Sequence, residues 1–373
     1  MKPTNPFLIT GYISPQYFCD RHQETAALLS ALQNQRNTTL FAARRIGKTE
    51  LIFHLSHELK KQKEVSFFYL DIMATATLNE FINQLGKAII GRMDTKPEQM
   101  LSKVGKFFAA LRPKITYDPL TGQPNVEFGI ETEKEATQTI EQIFAYLQDQ
   151  NKRVVIAIDE FQQILYYPQS NTEALLRAQI QKLTHVNFIF SGSHTHLLLS
   201  MSGNHSRPFY QSTQLMHLEK INSEEYSSFI EKHFKEAGRE IKQKHIEDIL
   251  QWTKGHTFYV QYVCNKLYGS GSKKIDTAQM KEVLLSILKE NEALYYNYRN
   301  LLTDTQWNLL KAIAKEDEVE MPTGRDFIKK YKLSAASSVK TALTALIEKQ
   351  MVYEEKGKYF VYDIFLARWL ERL

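Results

Sequence analysis

At 373 residues the chain is long enough for two or three domains with cores of their own, and 43% hydrophobic and 24% charged residues are ordinary globular values. A net charge of +5 permits a nucleic-acid partner without arguing for one. Cys19 and Cys264 have neither disulfide-framework nor metal-ligand spacing, Met1-Lys2-Pro3-Thr4-Asn5-Pro6 has no apolar leader, and no apolar run approaches the roughly 18–20 residues of a membrane span, so the expectation is a reduced, cytoplasmic protein with no membrane partner.

Residues 1–17 read as an irregular, aromatic lead-in. Asp20-Arg21 with Glu24 and the apolar set Ala27, Leu28, Leu29 and Leu32 predict a helix. A β-prone run, Thr38–Phe41, then enters Ala42-Ala43-Arg44-Arg45-Ile46-Gly47-Lys48-Thr49, and Glu50–Leu55 leaves it with helical periodicity. This is the phosphate-loop pattern G-x-x-x-x-G-K-[ST] with alanine at its first glycine. The methyl of Ala42 matters only if that position needs φ > 0, at a cost on the order of 1 kcal/mol. Gly47, whose bare backbone lets phosphate approach, is in place. Backbone N–H groups from Ala43 through Glu50 then point at the phosphates of ATP, Lys48 reaches the β- and γ-phosphates, and the Thr49 hydroxyl ligates Mg²⁺.

Val65–Asp71 predicts the next strand, with Asp71 as a cap or a neighbour of the site. A helix follows from about Leu78 to Arg92, with Phe81, Ile82, Leu85, Ala88 and Ile89 on one stripe. Residues 93–135 read as an insertion: an amphipathic piece, Leu101–Leu111, then the turn-rich Asp118–Pro124 linking two short strands. A helix from about Glu135 to Leu147 leads to Val154–Ile158, an apolar run of the kind buried on both faces of a parallel sheet. It ends in Asp159-Glu160. Placed on a strand beside the loop, Asp159 holds the Mg²⁺ shell and Glu160 polarises the attacking water. Two solvated acids capping a strand are the alternative for that pair alone, but both motifs in this order and spacing point to a P-loop NTPase. A helix from Thr172 to Leu183 and a buried strand, Val186–Ser191, complete an α/β reading with a mostly parallel sheet.

After residue 221 the pattern turns helical. Asn222 with Glu225 predicts a capping box, and Tyr226, Phe229, Ile230 and Phe234 form an apolar stripe. Residues 302–373 read as a winged helix-turn-helix: Thr303 with Gln306 capping one helix, Gly324–Tyr331 a second, Ser334 capping a third, and a hairpin turning at Glu355-Lys356-Gly357-Lys358. From Leu302 to Leu373 there are 12 Lys+Arg against 11 Asp+Glu, a net of +1, less than a phosphate-binding face normally carries.

Phe18-Cys19-Asp20-Arg21-His22-Gln23-Glu24, Arg44–Thr49, Ile158–Phe161, Phe190–Ser193, Ser206–Tyr210 and Gly255-His256 together resemble the AAA+-related STAND ATPases, and within them the archaeal-type ATPase family of prokaryotes. The resemblance covers nearly the whole chain. It implies a P-loop ATPase domain over 1–220, a helical lid over 221–300 and a winged helix over 301–373. It also implies Arg21 as a contact to the base, against a solvated helix-start arginine. Ser193 or Ser191 becomes a sensor of the γ-phosphate, against a serine turn. His256 becomes a residue near phosphate, against a helix-capping histidine, although Thr257 stands where the family has proline. Arg207 is the candidate cation for charge developing on the transferred phosphoryl group, with Pro208 holding it extended. An ordinary salt bridge is its alternative, and Arg44 and Arg45 are expected to point away.

Three functions follow as alternatives. The first is a Mg²⁺-ATP switch ATPase in which ATP closes the lid on the sheet and the winged helix docks a protein partner; an oligomer is compatible with it. The others are a DNA-binding regulator with nucleotide-controlled conformation and a nucleotide-binding scaffold without turnover. Glu160 favours turnover. The balanced charge of the last domain disfavours DNA.

Overall fold

The computed structural model describes residues 3–61, 64–93, 97–108, 111, 113–117, 124–150, 152–169 and 171–373. They form two compact units: Gly11–Lys220, and Ile221–Leu373 joined by the N-terminal residues up to Thr10. Among the described residues no helix is long and apolar enough to cross a membrane.

In chain order the first unit runs α1 (His22–Gln33), β1 (Thr38–Phe41), α2 (Lys48–Leu59), β2 (Val65–Asp71), α3 (Leu78–Met93), α4 (Pro97–Phe108), β3 (Lys114–Tyr117), β4 (Pro124–Glu127), α5 (Glu133–Gln148), β5 (Arg153–Asp159), α6 (Thr172–Ile180), β6 (Val186–Gly192), α7 (Thr195–Gly203) and β7 (Gln214–His217). Five strands make one parallel sheet in the order β2-β5-β6-β1-β7. The strand carrying Asp159 is therefore not beside the loop strand, because β6 lies between them. Strand alternation explains why both faces are apolar. Val155, Ala157 and Ile189 face α1 and α2, whereas Val154, Ile156, Ile158, Phe188 and Phe190 join the larger core with α3 to α7. α7 and the short edge strand β7 have no counterpart in the sequence expectations. Within the 93–135 segment β3 and β4 pair antiparallel, with Lys114 opposite Glu127. The expected turn at 118–123 lies outside the described residues.

The second unit contains α8 (Ser223–Glu236), β8 (Glu240–Ile241), α9 (Gln243–Trp252), α10 (Thr257–Gly269), β9 (Lys274–Ile275), α11 (Thr277–Glu290), α12 (Glu292–Leu301), α13 (Asp304–Glu316), α14 (Arg325–Tyr331), α15 (Ala336–Glu348), β10 (Val352–Glu355), β11 (Lys358–Val361) and α16 (Ile364–Leu370). Thr303 and Gln306 form the expected capping box. Asn222 caps α8 by accepting from the Glu224 N–H instead of building a box with Glu225. Ser334 falls one residue short of its expected place, and Ala335 is the N-cap of α15. The wing turns at Lys356 (φ 53°) and Gly357 (φ 80°), the two left-handed residues of a tight hairpin. α16 ties the winged helix to the preceding helices: Phe365 packs on Trp252 and Tyr259, and the Arg368 Nε–H donates to the Trp252 carbonyl.

Candidate nucleotide-binding site

The loop between β1 and α2 turns on Gly47, whose φ of 100° is costly for any side chain. Ala42 is fully buried and is not in the left-handed region, so its methyl costs nothing there. Arg45 is the other left-handed residue of the loop (φ 66°). Lys48 opens α2 with its ammonium drawn back over the loop, 3.2 Å from the Ala42 carbonyl and 3.3 Å from that of Ala43. Burial holds its pKa below the usual lysine range, a shift that the nearby Asp159 and Glu160 carboxylates oppose. Glu50, in the first turn, is pushed up by burial.

The parallel register brings the ends of four strands level: Asp71 pairs with Asp159, and Leu40 and Phe41 with Ser191 and Gly192. Asp159 is buried and takes four donors. The Thr49 hydroxyl (2.8 Å) and the Tyr69 hydroxyl (3.0 Å) donate to Oδ2, and the Ser191 hydroxyl (2.6 Å) and the Glu160 N–H (3.0 Å) donate to Oδ1. Asp71, level with it, has its carboxyl raised by burial and by the Asp159 and Glu160 charges, and accepts the Met73 N–H. Burial and Asp159 also raise the Tyr69 hydroxyl far above its usual range, so it stays a donor.

Glu160 adopts a left-handed conformation (φ 55°), which turns the chain sharply after β5 and aims its carboxylate back at the strand ends. The Ser193 hydroxyl donates to it at 3.1 and 3.3 Å, and the Gln162 amide at 2.6 Å. Arg44 in turn donates through Nε to Ser193 Oγ at 3.2 Å, so this arginine reaches toward the carboxylates and does not point away. Burial and Arg44 lower the pKa of the adjacent His194.

Arg21 is not a solvated helix-start residue. Its guanidinium is buried, pairs with Glu24 at 2.6 Å and donates to the Ile46 carbonyl at 3.3 Å, so it fastens the loop from behind. His256 belongs to the second unit, where it is the N-cap residue of α10 and is buried. Arg207 lies between α7 and β7. It sits at a corner of two turns, its N–H donating to Asn204 and its carbonyl accepting from Tyr210. Its guanidinium lies 2.5 Å from Glu173 of α6, which also accepts the Phe209 N–H. Arg207→Ala therefore strips a buried carboxylate of its cation and is expected to cost about 1–3 kcal/mol of unfolding free energy by urea titration. Unchanged stability with turnover reduced about tenfold would instead assign Arg207 to the charge-offsetting role.

Gln162, Tyr69 and the Arg44–Ser193 link had no signal in the sequence beyond their places at strand ends. A phosphate loop, a buried lysine over it and two acids at the end of a parallel strand one position removed define a P-loop NTPase. A family model described as "ATPase domain predominantly from Archaea" matches residues 18–263, more than half of the chain, and "Probable winged helix domain" matches 293–372. The chain belongs to that ATPase family and is an ATP-binding, ATP-hydrolysing P-loop protein with a C-terminal winged helix.

Among solved structures, the Walker-type ATPase paby2304 of Pyrococcus abyssi is similar over 99% of this chain and 100% of its own, with a TM-score of 0.67 and 18% identity. The ORC2 protein of Aeropyrum pernix, in its ADPNP-ADP complexes, is similar over 98% and 95%, with a TM-score of 0.60 and 15% identity. The ORC1 protein of the same organism, in complex with DNA, covers 99% and 96% at a TM-score of 0.53 and 11% identity. At these identities the likeness establishes the fold. The curated proteins contain no match.

Proposed function

We propose that the chain is a Mg²⁺-dependent switch ATPase: ATP binding sets one conformation, hydrolysis resets it, and the winged helix docks a protein partner. The observation that carries this reading is the Thr49 hydroxyl 2.8 Å from Asp159 Oδ2, a hydroxyl and a carboxylate side by side at the phosphate loop. Both are hard oxygen ligands, the donor chemistry Mg²⁺ takes. Among the described residues no group of three or more His, Cys, Asp or Glu could cage a metal. Thr49 and Asp159 would hold Mg²⁺ from the protein side, with phosphate oxygens and water able to supply the remaining ligands. When bound, it neutralises charge on the β- and γ-phosphates.

The remaining work falls to the chain. Loop N–H groups from Ala43 to Glu50 and the start of α2 bind the phosphates, Lys48 leaves the loop carbonyls for the β- and γ-oxygens, and Arg21 holds Ile46 in place. Glu160 takes a proton from the water whose oxygen bonds to the γ-phosphorus as the bond to the bridging oxygen breaks, releasing ADP and phosphate. Ser193, linked to Glu160 and Arg44, is the candidate sensor of that change; Arg207 and His256 are further candidates. Calorimetric ATP titrations with Mg²⁺ and with EDTA, alongside phosphate release, test the reading. EDTA should weaken binding by roughly tenfold and abolish release; equal release in both conditions contradicts it.

The DNA-binding reading draws on α15, which exposes Ser337, Lys340, Thr341 and Thr344. Several cations of this domain are already spent on carboxylates: Lys330 on Glu316, Lys358 on Glu318 and Glu320, and Arg368 on Asp317 and Glu371. Duplex binding is expected to be weak or absent at physiological salt. A tight, salt-sensitive complex lost in Lys340→Glu would promote the regulator over the switch.

A further inference from the structure

Glu160 is held from two sides, and only one of them is linked to the phosphate loop. Ser193 answers to Arg44 and hence to whatever occupies that loop. Gln162 does not. It lies in the 3₁₀ turn Phe161–Tyr166, which the left-handed Glu160 starts and which is anchored from behind. Phe161 packs at 4.2 Å on Phe190 and edge-on against Phe209 at 5.4 Å, and the Gln163 amide donates to the Thr75 carbonyl at 2.9 Å.

The Gln162 side chain is 2% exposed. Its Nε2 donates to Glu160 Oε2 at 2.6 Å, while its Oε1 is buried with no hydrogen-bond partner among the described residues. An unsatisfied buried carbonyl is a standing cost that a leucine of similar shape would remove. The amide is thus poorly explained by stability. Its room comes from Gly192, where a Cβ would stand 2.0 Å from Gln162 Oε1 and 3.0 Å from Leu198 Cδ1. Gly192 is not in the left-handed region, so its bare backbone is needed for this space and not for its dihedral angles.

We propose that Gln162 is a positioning residue of the ATPase site: its amide fixes Oε2 of Glu160, leaving Oε1 to face the attacking water, and Gly192 exists to admit that amide. The inference rests on Glu160 as the water-polarising base. Because, among the described residues, Oε1 receives only the longer Ser193 bond, at 3.3 Å, it is the oxygen freer to accept a proton. Without the amide the carboxylate keeps its charge but loses its aim, and misplacement of a catalytic group by about 1 Å can cost a hundredfold.

The test is steady-state ATP hydrolysis with Gln162→Leu, Gly192→Ala, Glu160→Gln and the double variant Glu160→Gln/Gln162→Leu, together with thermal melts and binding of a non-hydrolysable ATP analogue. Gln162→Leu should lower kcat about ten- to a hundredfold, with KM and analogue affinity within about twofold of wild type and Tm no lower. Gly192→Ala should lower kcat to a similar extent with Gln162 still present, since its methyl pushes the amide off Glu160, and its crowding against Leu198 should lower Tm as well. In the Glu160→Gln background, Gln162→Leu should lower turnover no further. Wild-type kcat in Gln162→Leu beside an inactive Glu160→Gln overturns the positioning role alone. So does an equal loss of analogue affinity, or a further fall in the double variant. Wild-type turnover in Glu160→Gln removes the base assignment itself and this role with it.

Discussion

A Lys48→Ala protein is expected to bind Mg²⁺-ATP at least about thirtyfold more weakly, because truncating one member of a buried, hydrogen-bonded charge pair costs roughly 2–5 kcal/mol. Lys48 is 7% exposed, and burial disfavours its charge. Its only described hydrogen bonds go to two loop carbonyls, at 3.2 and 3.3 Å. A triphosphate offers it full negative charge in the same low-dielectric place, so the bound state gains far more from the lysine than the free state does. The same asymmetry governs stability. Removing a cation that pays a desolvation penalty in the free protein should leave the melting temperature within a few degrees of wild type, for a chain of this size a change of about 1 kcal/mol. Calorimetric titration and a thermal melt on one preparation decide it. Unchanged ATP affinity in a folded Lys48→Ala protein contradicts the site.

Glu160→Gln is expected to separate binding from turnover. The amide keeps the side chain's shape and its place in the left-handed turn. It can no longer take a proton from water, and general-base catalysis contributes typically 10²–10⁴-fold. ATP and analogue affinity should stay within about twofold, because the phosphates are held by the loop, Lys48 and Thr49. Single-turnover rates should fall by at least about a hundredfold. A rate equal to wild type assigns Glu160 another role.

What the sequence made legible followed from strong local physics. Gly47-Lys48-Thr49 between a strand and a helix, and an apolar run ending in Asp159-Glu160, announce themselves because the residue types are few and the context is fixed. The wing turn at Lys356-Gly357 and the box at Thr303 and Gln306 are legible for the same reason. The rest depends on partners far apart in the chain. No local pattern says that β6 enters between β1 and β5 and so places Ser191 against Asp159, or that Tyr69 and Thr49 share one oxygen of that carboxylate. The edge strand β7 is four residues long, alternates in burial and sits in a polar stretch, too weak a signal against the turns before it. The pairing of Arg207 with Glu173 is another such case, because only the fold brings α6 and the segment after α7 together.

The most direct test of the account is hydrolysis of ATP in ¹⁸O-labelled water with Mg²⁺, followed by mass spectrometry of the products. Attack of water on the γ-phosphorus places one ¹⁸O in each inorganic phosphate and none in ADP, and Glu160→Gln should release almost no labelled phosphate over the same time. Label in the β-phosphate of ADP, or labelled phosphate from Glu160→Gln at the wild-type rate, would contradict a site built on Lys48, Asp159 and Glu160.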